Sequence, residues 1–116
     1  MKKFLAVFTG SPDAMQKWNA LSEDERNRRM KEGGAAWMAW AENNKASIVE
    51  LGGPLGRTKR ITSAGIADIR NHLGAFSIVQ ADSQDDAARL FLNHPHFSLF
   101  PGDGVEVMEI MPVPKM

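Results

Sequence analysis

The chain lacks cysteine and tyrosine altogether among its 116 residues. Without a thiol there is no disulfide scaffold, no thiolate metal site and no cysteine nucleophile. Without tyrosine there is no phenol to serve as an acid. Nor does either sign of charge prevail, because 14 basic residues face 14 acidic ones. Nucleic-acid binding draws on neutralised phosphates, so a balanced domain of this kind is not expected to bind nucleic acid. Long apolar runs are missing too. Lys2-Lys3 followed by Phe4-Leu5-Ala6-Val7-Phe8 imitates the start of a signal peptide, but Gly10-Ser11-Pro12-Asp13 closes the run. A secretory core needs roughly 7–15 apolar residues and a membrane span about 20. The segment therefore reads as a strand of a cytoplasmic protein with no membrane partner. No internal repeat or low-complexity tract stands out, and neither Gly-x-Ser-x-Gly nor His-Glu-x-x-His occurs.

What is present is ordinary globular material, 43% hydrophobic and 24% charged. A chain of this length buries roughly two thirds of its unfolded surface. That allows one core and one domain, residues 1–116.

Helix and strand signals alternate along that domain. Lys3 to Thr9 is an apolar, β-prone opening strand. Ser11-Pro12 is an N-cap with proline at the first helical position, opening a short amphipathic stretch with Met15, Trp18 and Leu21. Ser22 with Glu25 forms a capping-box pattern, and Glu23, Asp24 and Glu25 suit the positive end of a helix dipole. Met30, Gly34, Trp37 and Ala41 then recur at helical spacing, which predicts an apolar stripe ending near Asn43-Asn44. Gly33-Gly34 within this helix implies close packing or a break, with room for a ligand beside Trp37 as the minority reading. Ser47 to Leu51 reads as the second strand, leaving through the turn Gly52-Gly53-Pro54-Leu55-Gly56. Arg57 to Ser63 is expected to extend or pair with it, and Ala64 to Gly74 to be irregular. Ala75 to Ala81 is the third core strand. Ser83 with Asp86 caps a helix carrying Ala87, Leu90 and Phe91, which Asn93-His94-Pro95 stops. Val105 to Met111 is the last strand. The order β-α-β-β-α-β predicts an α+β, ferredoxin-like fold with both helices on one face of an antiparallel sheet.

The strands also bear on assembly. Phe4, Ala6 and Phe8 oppose Leu5 and Val7; Phe76 and Ile78 oppose Ala75, Val79 and Ala81; Val105, Val107 and Met111 oppose Met108 and Ile110. A sheet with one wet face alternates apolar with polar, and these strands do not. Two helices cover one face only, so the other calls for a second copy of the chain in a two-fold, sheet-to-sheet homodimer.

Four groups of residues carry possible chemistry. Gly52-Gly53-Pro54-Leu55-Gly56-Arg57-Thr58-Lys59 has the wrong spacing for a phosphate loop and reads better as a turn, although Arg57, Lys59 and Arg60 form a basic cluster able to attract an anion. His94-Pro95-His96, near Asp103, offers two imidazoles but no shared helical face for a metal, so helix termination and loop packing is the better reading and no metal is assigned. Asp68 and His72 are four apart, an acid–base pair if that segment is helical; otherwise His72 is a turn residue. Trp37, Met38 and Trp40 read first as core, or else as an aromatic wall for a small molecule between helix and sheet.

This ordering resembles the YCII-related family, which includes the DGPF-type proteins, within the dimeric α+β barrel superfamily. The resemblance spans nearly the whole chain. Its carriers are Phe4–Phe8, the helix around Trp37–Trp40, Gly52-Gly53-Pro54-Leu55, Gly74-Ala75-Phe76-Ser77-Ile78-Val79, Asp85-Asp86-Ala87-Ala88, His94-Pro95 and Val105-Glu106-Val107. It implies a ferredoxin-like fold dimerising face to face into an α+β barrel, with a cleft beside the sheet and, in some members, a His–Asp pair. Two departures stand out. Residues 23–44 contain no histidine, and Gly65-Ile66-Ala67-Asp68 stands near where Asp-Gly-Pro-Phe would fall.

The sequence thus predicts a protein that binds a small apolar or acidic metabolite in a cleft between sheet and main helix, without a cofactor. Trp37, Trp40, Gly53, Pro54 and Arg57 are its candidate ligand-binding residues. A small-molecule enzyme of isomerase, lyase or hydrolase type, using Asp68 and His72, is the second reading, and a structural or interaction module the third. Whether the chain is an enzyme stays open at this point, since the fold does not choose a reaction.

Overall fold

A computed structural model describes residues 1–114. The first strand, β1 (Lys2–Thr9), is followed by α1 (Pro12–Asn19), α2 (Glu23–Asn43) and β2 (Ile48–Pro54). A hairpin of β3 (Thr58–Thr62) and β4 (Gly65–Ile69) precedes β5 (Leu73–Ala81) and α3 (Gln84–Arg89). A single 3-10 turn (Pro95–Phe97) leads to β6 (Gly104–Glu109). Four strands form one antiparallel sheet in the order β2-β5-β1-β6, the ferredoxin-like arrangement expected from the sequence.

All three predicted caps form. The hydroxyls of Ser11, Ser22 and Ser83 accept from the backbone N–H groups of Ala14, Glu25 and Asp86 at 3.2, 3.1 and 3.1 Å. The box at Ser22 is only half made. The Glu25 carboxylate turns instead to Arg28 and Arg29, whose guanidinium groups hold its pKa down at about 2.

Alternation along the central strands builds the core. Phe4, Ala6 and Phe8 of β1 stand opposite Val79, Ser77 and Ala75 of β5, all on the helix-covered face. Trp40, Ala87 and Phe91 close over them. On the other face Leu5 stands between Ile78 and Met108, and Val7 between Phe76 and Glu106. These side chains are half-buried or exposed, so apolar residues do occupy both faces of the sheet.

The structure corrects several expectations. The buried stripe of α2 runs through Gly33, Trp37, Trp40 and Ala41, leaving Met30 57% exposed and Gly34 in open space. The helix does not break at the glycine pair; Gly33 lets the Phe100 ring sit against the helix backbone. Residues 64–74 are not irregular, because Gly65–Ile69 forms β4, and β3 pairs with β4 rather than with β2. The strand Val105 to Met111 ends earlier, at Glu109. The second strand, expected over Ser47 to Leu51, runs from Ile48 to Pro54 and takes in the start of the expected turn, with register shifts between Ile48 and Glu50 and between Glu50 and Gly53. Gly52 lies in the second of these at φ +70°, where a Cβ would run into the Phe76 carbonyl.

The hairpin stands apart from the sheet. Its strands pair only with one another, and Ile61 and Ile66, opposite each other near its tip, are each 71% exposed. The radius of gyration is 16.0 Å, against about 13 Å for a compact chain of roughly this length. Among the described residues no helix is long and apolar enough to cross a membrane.

Candidate functional site

A cleft opens where β2 leaves the sheet, between the hairpin root on one side and α1 and α2 on the other. Local sequence explains why it is there. The Gly52 bulge shifts the register of β2, its pairing ends at Pro54, and the turn through Gly56 swings the chain out into the hairpin. On the far side, the glycine at position 33 lets Phe100 approach α2, so that Trp37 and Phe100 meet edge to face at 5.7 Å. The volume is about 1780 Å³, well above the roughly 300–1,000 Å³ of ordinary small-molecule sites, so the cleft is a broad, open one.

Most of the residues singled out in the sequence meet here. Trp37, Gly53, Pro54, Arg57, Asp68 and His72 all line this cleft. Trp40 does not. Its indole N–H donates to the Leu90 carbonyl at 2.8 Å and its ring is buried in the core. The helical spacing that would pair Asp68 with His72 is not formed either. Asp68 lies on β4, where the Lys59 ammonium donates to its carboxylate at 2.7 Å. His72 lies beyond that strand, exposed, and its backbone carbonyl accepts from the Gly10 N–H. The basic cluster also divides. Arg57 and Lys59 line the cleft; Arg60 does not, and Arg70 joins instead.

The floor of the cleft contains a group that helix termination alone does not describe. His96 lines it and is buried, and its Nε2–H donates to the Thr9 carbonyl at 2.8 Å. Burial lowers its pKa, against the pull of the Thr9 and Gly104 carbonyls and the Asp103 carboxylate. Its ring occupies the space where a Cβ on residue 102 would stand, which explains the glycine there. Asp103 fastens this loop to β1 and α1, accepting from the Ser11 N–H at 3.2 Å; the Ser11 contacts lower its pKa.

His94 lies deeper, outside the cleft lining. Its Nδ1 accepts from the His96 N–H at 3.0 Å, which places the proton of the neutral ring on Nε2. That Nε2 is buried without a hydrogen-bond partner among the described residues. The ring is enclosed by Trp37 at 4.4 Å, Trp40 at 4.6 Å, Phe8 at 5.0 Å and Phe91 at 6.1 Å. Burial first, and the neighbouring His96 second, push its pKa down to about 4. Among the described residues no group of three or more His, Asp or Glu side chains is placed to hold a metal ion. The sequence signal for His96 was the second imidazole of His94-Pro95-His96 followed six residues later by glycine. Only the fold shows that the two rings occupy different places.

Comparison with known proteins bears on the fold. No family model matches the chain, and no curated protein matches it. Among solved structures it is similar to 5-chloro-2-hydroxyhydroquinone dehydrochlorinase from Burkholderia phenoliruptrix AC1100, in complex with 2,5-dihydroxybenzoquinone. That likeness has a TM-score of 0.55 at 23% identity and covers 94% of this chain and 93% of the other. Such a likeness establishes a shared α+β fold.

Proposed function

We propose that this chain is a YCII-like small-molecule-binding protein that takes a small apolar or acidic metabolite in the cleft beneath the hairpin. The observation that carries the reading is the meeting, in one open cleft, of an aromatic wall at Trp37 and Phe100 with a polar wall at the hairpin root. Ligand sites combine an apolar lining with a few placed polar groups in this way. A thermal-shift screen of aromatic and organic-acid metabolites against wild type and His72→Ala tests it. Compounds that raise the melting temperature support the reading, and a screen without a single shift counts against it.

The second reading is a small-molecule enzyme at the same place. It is favoured by the activity of the similar structure, a dehydrochlorinase with 2,5-dihydroxybenzoquinone bound. In this reading Asp68 and His72 would act through the ligand, since Asp68 is engaged by Lys59. Turnover abolished by Asp68→Asn or His72→Ala, with ligand binding retained, would select it.

The working unit in either reading is a homodimer formed through the open sheet face, where the rows Met108–Leu5–Ile78 and Val7–Phe76 supply the apolar surface. Sizing with light scattering tests the assembly, and a monomer at micromolar concentration would refute it.

A further inference from the structure

The ladder of the hairpin pairs Thr58 with Ile69, Lys59 with Asp68, Arg60 with Ala67 and Ile61 with Ile66. Arg57 and Arg70 flank the last pair of this ladder, Thr58–Ile69, at the root, and both line the cleft. Asn71 confirms how close the two segments remain there, its side-chain amide donating to the Thr58 hydroxyl at 3.1 Å. Like charges gathered in one cleft without a counter-ion repel each other. Nothing among the described residues neutralises this pair. Among the described residues Asp68 is the one carboxylate lining the cleft, where Lys59 holds it, and neither arginine forms an ion pair. The chain as a whole is neutral, so the excess of positive charge in the cleft is a local feature.

Resting on the reading that this cleft binds a small molecule, we propose that Arg57 and Arg70 together anchor the acid group of an aromatic organic anion, a carboxylate or an acidic phenolate. Guanidinium groups bind such oxygens through paired, charge-assisted hydrogen bonds. An anion between the two arginines converts their repulsion into two attractions. The ligand's ring lies toward Trp37 and Phe100, the aromatic members of the same lining. The sequence cluster Arg57, Lys59 and Arg60 does not define this site. Strand alternation sends Arg60 to the other face, and Lys59 has its own carboxylate.

Calorimetric titration with matched probes tests the assignment: salicylate and 1-naphthoate as acids, 2-hydroxybenzyl alcohol and 1-naphthalenemethanol as their neutral counterparts. At low ionic strength an acid should bind the wild type at least tenfold more tightly than its alcohol, and added NaCl should shrink that ratio. Arg57→Gln combined with Arg70→Gln should weaken the acids tenfold or more while leaving the alcohols within twofold. Arg60→Gln removes one positive charge outside the cleft lining and should change neither. Equal binding of acid and alcohol by the wild type overturns the anion site and leaves the cleft reading standing. So does a loss of acid binding in Arg60→Gln as large as in the double variant. Absence of binding by all four probes overturns both.

Discussion

The sheet core and the hairpin root are built on opposite terms. In the core, Phe8 touches Trp37, Phe91, His94 and His96 with ring centroids 4.8–5.7 Å apart, and every neighbour is fixed by several others. In the hairpin, two five-residue strands hold each other, their apolar tip is exposed, and two arginines at the base line the cleft. A lone two-stranded hairpin is marginal in water. Stability therefore resides in the core, while the hairpin root supplies the charge and shape that a ligand meets. Substitutions should separate the two regions cleanly.

The largest effect belongs to Phe8→Ala, which removes a fully buried ring from the middle of the core. It should cost about 3–5 kcal/mol, read by urea unfolding, if it folds at all. A loss below about 1 kcal/mol would mean that the aromatic cluster does not hold the fold. Next is the pH dependence of His94. In the unfolded chain its imidazole titrates near 6.5, and in the folded one near 4. The folded state refuses a proton that the unfolded state accepts, so the contribution of this group to stability is flat well above pH 6.5 and falls as pH drops towards 4. The decline from this group is about 3 kcal/mol. His94→Leu should flatten much of that slope, and an unchanged slope would remove His94 as its source. Gly52→Ala forces a Cβ into the Phe76 carbonyl at positive φ and should cost on the order of 1–3 kcal/mol. Ile66→Ala, at the exposed tip, should change the stability of a monomer by no more than about 0.5 kcal/mol. A larger loss that grows with protein concentration would show the tip buried in an assembly.

The same contrast explains what the sequence could and could not show. Core strands announce themselves because Phe4, Ala6 and Phe8 alternate with Leu5 and Val7, and the serine caps at 11, 22 and 83 mark helix starts through local bonds. Hence the element order and the fold class were legible. The stripe on α2 lies one residue away from the one that spacing predicts, because Gly33 and Gly34 are indistinguishable locally; the choice between them is made by Phe100, far along the chain. The hairpin is not legible because Gly65-Ile66-Ala67-Asp68-Ile69 is short and mixed in character, and residues 57–63 suit pairing with β2 equally well. Trp37, Gly53, Pro54 and Arg57 converge on the cleft as a group, whereas Trp40, three residues from Trp37, turns into the core to reach Leu90. Arg70 became visible only once the register of the hairpin was known.

Chemical-shift mapping of the wild type by amide and indole NMR during titration with salicylate tests the central claim most directly. Binding in the cleft should move Gly53, Gly56, Arg57 and Arg70 together with the indole N–H of Trp37, leaving Leu5, Val7 and Ile78 on the open sheet face unmoved. Perturbations centred on that sheet face, or none at saturating salicylate, would contradict it.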